Sequence, residues 1–367
     1  MIGGGPGSFI GPVHRMAAEL DGRLRLVAGA FSRDPGRNAE AAGAWGARAY
    51  PDYRALLAGE AARADGAELV AVVTPNHLHF EVSAAALQAG FHVMSDKPAT
   101  LDLAQARALA GIVAASGRLY GLTYTYTGYP MVREAREIVR RGDLGAIRKV
   151  VVEYAQGWLS TPVEQAGSKQ AAWRADPAQA GVGGCIGDIG VHAFNIAEFV
   201  SGERVARLCG DVSTVVPGRT LDDDCNLLLR FANGARGVLI ASQVSAGARN
   251  GLTLKVYGEK GGLTWSHERH AELTIDWLDG PTHVLHAAAP YLGQVARAGS
   301  RIPTGHPEGF IEAFANLYLD LADAIEAGRA VTGLVPGIEA GVRGMAFVET
   351  AVAASREGLG WVELEAA

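Results

Sequence analysis

The 367-residue sequence is poor in cysteine, in basic clusters and in long apolar runs, and each shortage removes a class of function. Its three cysteines, Cys185, Cys209 and Cys225, are odd in number, widely spaced and never in a CxxC pair. Neither a disulfide framework nor a metal site is therefore expected, and the compartment expected is reducing cytoplasm. Lys and Arg number 33 against 39 Asp and Glu, a formal net charge of −6 with no basic block. The electrostatic footprint of a nucleic-acid partner is missing. No apolar run reaches the roughly 18 residues of a spanning helix, which argues against a membrane partner. The first ten residues hold glycines and a proline where a signal peptide would be basic and then continuously apolar. What is abundant is glycine, 48 residues, about 13% against a usual level of about 7%. The glycines fall at the ends of periodic segments and serve as turn and helix-end punctuation.

Short β-branched runs alternate with amphipathic helical stretches in the first third. Residues 24–30, 67–74, 91–95 and 119–123 read as buried strands, and 12–20, 35–45, 52–62, 77–89 and 103–115 as helices. That alternation predicts crossover units, hence a doubly wound parallel sheet, the Rossmann arrangement. Beyond a helix over 131–141 the pattern changes to longer strands, 148–155, 205–216, 225–231, 235–244 and 252–257. They are joined by hairpin signals such as Asn233-Gly234, which favours a two-residue turn. One helix near 186–200 interrupts them, and two helices, 307–327 and 336–355, close the chain. The fold class expected is α/β: a doubly wound Rossmann domain over 1–122, then an α+β domain over 123–367 with a large, open, mostly antiparallel sheet. The last helices are expected to reach back to the first domain. An open sheet face favours a homodimer or homotetramer.

Three segments carry chemistry. Gly3-Gly4-Gly5-Pro6-Gly7-Ser8-Phe9-Ile10-Gly11 precedes a helix, so its backbone N–H groups can approach a pyrophosphate, although its spacing departs from GxGxxG. About 20 residues on, where an acid commonly binds the ribose, stand Ser32 and Arg33, a pair that tolerates either cofactor and leans locally to NADP. Ser95-Asp96-Lys97-Pro98 ends a strand, where Lys97 can donate to a substrate hydroxyl and stabilise alkoxide as it forms. Asp188 and His192, four apart at the start of the lone helix of the sheet domain, share a helix face; the imidazole can take a hydroxyl proton and the carboxylate can stabilise its charged form.

With Thr74-Pro75-Asn76-His77 and Trp173-Arg174, these segments resemble the Gfo/Idh/MocA oxidoreductases, the glucose-fructose oxidoreductase and inositol dehydrogenase family, over nearly the whole chain. Asp96 stands where that family usually has Glu. The resemblance implies Lys97, Asp188 and His192 as the catalytic positions, and commonly a cis bond between Lys97 and Pro98. It implies a cofactor site drawn from Gly3, Gly5, Pro6, Gly7, Ser8, Phe9, Ile10, Ser32, Arg33, Thr74, Pro75, Asn76, His79, Asp96, Lys97, Pro98, Trp173 and Arg174. A sugar, anhydrosugar or cyclitol would meet Lys97, Tyr126, Tyr129, Trp158, Arg174, Asp188, His192 and His306. The run Tyr126 to Pro130 and Gln156-Gly157-Trp158 are similar to a bacterial branch that includes levoglucosan dehydrogenase, which implies NAD ahead of NADP. His192 then removes the hydroxyl proton, Lys97 polarises the same oxygen, and hydride passes to nicotinamide. The same constellation suits a glycoside-processing enzyme that recycles a tightly held NAD. A non-catalytic NAD-binding sensor is the third reading, and it has no need of a proton-transfer set. His267 and His270 read as solvent-facing in a turn between strands. Only Met1 and Ile2 precede the glycine loop, where a central strand averages about 5 or 6 residues, so an upstream natural start is expected.

Overall fold

The computed structural model describes residues 1–5, 7–330 and 333–365. The chain divides into two compact units, Met1–Gly128 with Phe310–Val342, and Tyr129–Gly309 with Arg343–Ala367.

The first unit is built on β1 (Ile2–Gly3), β2 (Ala28–Gly29), β3 (Arg48–Ala49), β4 (Leu69–Val73), β5 (His92–Ser95) and β6 (Tyr120–Leu122). β1, β4, β5 and β6 pair in parallel in that order, β2 pairs with β3, and Ile2 bridges Ala30 just past β2. The spatial order is therefore 3-2-1-4-5-6, the doubly wound arrangement that gathers ligands at the carboxyl ends of the strands. β1 is bonded on both sides: Gly3 N donates to the Ala30 carbonyl at 2.9 Å, and Ile2 pairs with Val72. The helices begin and end where capping chemistry places them. Asp34 accepts from Arg37 N at 2.8 Å ahead of the helix Pro35–Trp45, and Gly46, at φ +64°, ends it. Asp52 and Asp102 cap Tyr53–Ala61 and Leu103–Ser116 in the same way. The helix Phe310–Glu326 lies against Ile10–Glu19, where Phe314, Leu317, Tyr318 and Leu321 bury Val13, Ala17 and Met94.

The second unit carries a nine-stranded sheet among the described residues. Its strands are β7 (Ile147–Ala155), β8 (Val205–Ser213), β9 (Asp224–Phe231), β10 (Arg236–Ser242), β11 (Gly251–Gly258), β12 (Gly261–Ser266), β13 (Glu272–Trp277), β14 (Thr282–His286) and β15 (Val362–Glu363). Their order is 14-13-12-11-7-10-9-8-15, antiparallel except where β7 meets β10. Leu254, Val152, Leu239 and Leu227 stand opposite one another across β11, β7, β10 and β9, all buried, so one face forms a continuous apolar row. The helix Val191–Ser201 packs on that sheet, and Phe194 stacks on Phe347 with centroids 4.3 Å apart.

Three local expectations change. The β9–β10 connection is a three-residue loop, with Gly234 N bonded to Phe231 O and Phe231 N to Ala235 O; Gly234, at φ +91°, takes the left-handed position after the turn. Strands β3 and β12–β15 were not legible as strands. In β12 the glycines mark close approach instead of a turn: a Cβ at Gly261 would stand 2.6 Å from the Asp276 carbonyl. The helix expected from residue 186 opens as a π-turn, Ile186–Gly190, before Val191–Ser201.

Candidate active site

In the first unit the candidate residues collect at the carboxyl ends of β1, β4 and β5. The loop after β1 closes on itself, since a Cβ at Gly11 would lie 1.9 Å from the Gly4 carbonyl oxygen. Gly7, at φ +84°, has open space where its Cβ would be, so backbone there is bare to a ligand. The helix Ile10–Glu19 that follows has no acidic residue in its first turn and no side-chain cap at Phe9, which is itself exposed. A bare glycine turn feeding a helix start without an acidic residue fits the pyrophosphate of a dinucleotide. Ser8 turns inward, its Oγ accepting from Gly11 N at 3.1 Å. Gly3 and Gly5 belong to the same loop, and Pro6 lies outside the described residues.

Past β2, Ser32 Oγ accepts from Asp34 N at 3.1 Å, and Arg33 is exposed. The carboxylate nearest in sequence, Asp34, is committed to its helix cap. Thr74 and Pro75 follow β4, and Asn76 opens a single 3-10 turn and is buried. His79 is buried with Nδ1 2.6 Å from the Pro98 carbonyl and Nε2 2.7 Å from the Thr74 carbonyl, which leaves neither nitrogen for a ligand. Asp96 Oδ1 accepts from Lys97 N at 3.0 Å and from Thr123 Oγ1 at 2.7 Å, and the Lys97–Pro98 peptide is cis. Tyr126 is buried in the turn Thr125–Gly128.

In the second unit Asp188 lies in the π-turn and His192 in the first turn of the helix that continues it. Asp188 Oδ2 accepts from Gln243 Nε2 at 2.8 Å and Arg174 Nε at 3.2 Å. The Arg174 guanidinium in turn lies 4.2 Å over the Trp173 ring and 5.9 Å from that of Trp158. The structure thus brings Trp158, Trp173, Arg174, Asp188 and Gln243 together, a carboxylate held by two donors beside two aromatic faces. His192 is buried, with the Tyr154 ring centroid 6.4 Å away. Tyr154 joins a hydrogen-bonded chain: its hydroxyl and Gln156 Nε2 both donate to Asn250 Oδ1, and Trp158 Nε1 donates to Gln156 Oε1 at 3.0 Å. His267 extends this chain, with Nδ1 beside the Asn250 carbonyl and Nε2 3.0 Å from the Tyr129 hydroxyl. His267 and His270 are therefore not solvent-facing. Both are half-buried against Tyr129, and His270 Nε2 meets the Glu308 carbonyl at 2.6 Å. Tyr129 is buried in that cluster, whereas His306 is exposed in its loop with Nδ1 near the Pro303 carbonyl.

Sequence reasoning missed the group that shapes the π-turn. Three successive N–H groups point at Asp222: Gly184 N and Ile186 N to its carboxylate at 2.5 and 2.7 Å, and Cys185 N to its carbonyl at 2.8 Å. Burial pushes the Asp222 carboxyl up to about 6, and the N–H donors pull against that. The available signal was the run Asp222-Asp223-Asp224 opening a strand, since acids at a buried strand end need partners. Among the described residues no group of three or more His, Cys, Asp and Glu could hold a metal ion, and no helix is long and apolar enough to cross a membrane.

Comparison with known proteins gives the same two-part organisation. Residues 1–124 match the family model described as an oxidoreductase family with NAD-binding Rossmann fold, and residues 132–264 match the GFO/IDH/MocA C-terminal domain. An uncharacterised oxidoreductase of Bacillus subtilis (strain 168), YfiI, is 33% identical over 377 residues, covering 100% of this chain and 96% of its own. Levoglucosan dehydrogenase of Pseudarthrobacter phenanthrenivorans is 28% identical over 276 residues, 63% of this chain and 69% of its own. Among solved structures, an inositol dehydrogenase homolog from Azotobacter vinelandii is 38% identical and covers 99% of this chain and 96% of that one. Its complex with NAD+ superposes with a TM-score of 0.94, and its complex with NADH and myo-inositol with 0.91.

Proposed function

The chain belongs to the Gfo/Idh/MocA oxidoreductase family, and we propose that within it this protein is an NAD-dependent dehydrogenase of ring polyols, cyclitols ahead of anhydrosugars. The observation that carries the reading is the second unit's carboxylate, Asp188, held by Arg174 and Gln243 on the same helical entry as His192. Cyclitols come first because identity to the inositol dehydrogenase homolog exceeds identity to levoglucosan dehydrogenase. NAD, when bound, supplies the two-electron acceptor that lets a ring hydroxyl become a ketone. The residues manage the proton and the charge. An imidazole nitrogen of His192 takes the hydroxyl proton, and Lys97 Nζ donates to the same oxygen, stabilising its negative character as it forms. Asp188 fixes the imidazole or accepts from a neighbouring ring hydroxyl, its own position set by Gln243 and Arg174. Trp158 and Trp173 offer faces to a ring whose axial C–H groups are apolar. The glycine loop and the helix start that follows it hold the dinucleotide phosphates, and Ser32 in place of an acid permits the ribose of NAD while Arg33 keeps NADP in play.

The reading includes a reducing cytoplasm, where the three free cysteines remain thiols, and a homodimer or homotetramer that covers the open sheet face, on which Leu228 and Tyr257 are exposed. The deciding experiment is a panel of inositols, anhydrosugars and pyranoses, each with NAD+ and NADP+, read by absorbance of the reduced cofactor. Reduction with myo-inositol or a close cyclitol and NAD+ is the expected result. Release of free sugar from added pyranosides, followed by chromatography, with no rise in NADH absorbance would overturn it in favour of a recycled cofactor, and neither signal across the panel would favour the sensor.

A further inference from the structure

The loop after β4 and the loop after β5 are tied together by one buried side chain. His79 is 1% exposed, and its two ring nitrogens stand 2.6 Å and 2.7 Å from the carbonyl oxygens of Pro98 and Thr74. A carbonyl oxygen only accepts, and a neutral imidazole carries a single N–H. In the neutral ring, therefore, one of these contacts would set a nitrogen lone pair against an oxygen lone pair. Both are hydrogen bonds only in the imidazolium. On balance the His79 pKa is lowered: burial is the largest influence and the Lys97 ammonium adds to it, against the two carbonyls and the Asp96 carboxylate, which draw it up. His14, on the helix that follows the glycine loop, faces the same cluster and is itself pushed down to about 4 by burial, so it brings no competing charge at neutral pH. The contacts stand against that lowering and outweigh it, because two pure acceptors at such short range leave no room for an unprotonated nitrogen.

We propose that His79 is a positioning residue, an imidazolium that clamps the carbonyls of Thr74 and Pro98 and so fixes the aim of Lys97. This rests on the reading of Lys97 as the donor to the reacting oxygen. Lys97 is bonded through its own N–H to Asp96 on one side and precedes the clamped Pro98 on the other, so its backbone is held at both ends. Removing the clamp frees the second end. The glycine loop hangs on β1 and takes no bond from His79, so loosening the clamp reaches the dinucleotide only through Thr74 and Pro98 and touches its affinity less than it touches turnover.

Two measurements on the full chain test this. In protein labelled with 15N-histidine, assigned by comparison with His79→Gln, both His79 nitrogens are expected to carry a proton at pH 7; an unprotonated nitrogen at that pH overturns the imidazolium. In parallel, His79→Leu and His79→Gln are compared with wild type for oxidation of myo-inositol or levoglucosan, whichever the wild type turns over, and for NADH binding by fluorescence. We expect His79→Leu to lower kcat about 30- to 100-fold with NADH affinity within about threefold, and His79→Gln, which can still donate, to recover about tenfold of the loss. A leucine variant within about threefold of wild-type kcat overturns the clamp, and so does a loss of NADH affinity that matches the loss of kcat. If the leucine variant is insoluble, or neither substrate is turned over, the nitrogen protonation decides alone. Failure of the Lys97 reading is separately visible, as a Lys97→Met enzyme that stays active while the His79 ring remains doubly protonated.

Discussion

Replacing Glu60 by glutamine should cost the nucleotide-binding unit about 2 kcal/mol at neutral pH and much less in acid. The Glu60 side chain is fully buried and accepts four bonds: from Arg48 Nε at 2.8 Å, Arg48 Nη2 at 2.6 Å, the Tyr50 hydroxyl at 2.8 Å and Ala67 N at 3.0 Å. These bonds, the Arg48 pair foremost, hold its carboxyl at about 2 in place of the ordinary 4.5. At about 1.4 kcal/mol per unit that depression is worth roughly 3 kcal/mol. Arg48 is 31% exposed, so solvent screens part of it, and about 2 kcal/mol is the working figure. The sign follows from linkage. Because the folded pKa is depressed, the contribution is present above the unfolded value near 4.5 and is lost as pH falls towards about 2. Glutamine keeps the shape but turns an NH2 towards groups that are themselves donors. Urea unfolding followed by circular dichroism, with hydrogen exchange over Tyr53–Ala61 marking the unit that opens, should show a gap of about 2 kcal/mol at pH 7 that shrinks below half by about pH 3. A gap independent of pH would refute the reasoning, since it would assign the effect to shape instead of charge.

The remaining predictions concern the site. Lys97→Met should reduce kcat by about three orders of magnitude with NADH affinity nearly intact, measured by steady-state kinetics and fluorescence titration, because its bond strengthens only as charge builds on oxygen. His192→Asn should lose a similar factor and remove the low-pH limb of the rate profile; a limb that stays would point to another base. Ser32→Asp should depress any NADP+ use by setting a carboxylate against the 2′-phosphate, while kcat/KM with NAD+ holds or rises. A wild-type preference for NADP+ would show that Arg33 dominates. Gly184→Ala places a Cβ 2.2 Å from the Asp222 carbonyl oxygen and must shift the π-turn. Its kcat should fall at least about tenfold with NADH affinity unchanged, and full activity would show that the turn tolerates displacement.

The doubly wound unit was legible because its signals are local. Asp34, Asp52 and Asp102 start helices, Gly46 and Gly117 end them, and the apolar runs between read as buried strands. Its shortest strands were not equally plain. β3 has two residues, and a run of seven apolar-rich residues shrinks to Ala28–Gly29 in β2, because pairing there depends on neighbours the sequence does not name. The far side of the second sheet was hidden for a related reason. β12 begins with two glycines that read as a turn, yet serve to let Asp276 and Tyr257 come close. β14 is an edge strand of mostly exposed residues, whose apolar alternation has no face to fill.

The site divides along the same line. Lys97, Asp188 and His192 are visible as residue types at informative spacing, but what holds Asp188 and the turn around it is distant in sequence. Gln243 reaches Asp188 across 55 positions, Asp222 reaches Gly184 across 38, and Asn250 joins Tyr154 across 96. No periodicity encodes such pairs, since each partner is chosen by sheet order, and that order places β7 between β10 and β11. The helical spacing of Asp188 and His192 was itself read for the wrong helix type. A π-turn advances less per residue than an α-helix, so residues four apart still share a face. The turn exists because Asp222 gathers three successive N–H groups that an ordinary helix start would leave to a single cap. A buried acid just ahead of a neighbouring strand therefore sets the geometry in which Asp188 and His192 are presented, and its own position follows from strand β9, which it precedes by two residues. The order of causes runs from sheet register to Asp222, from Asp222 to the turn, and from the turn to the chemistry.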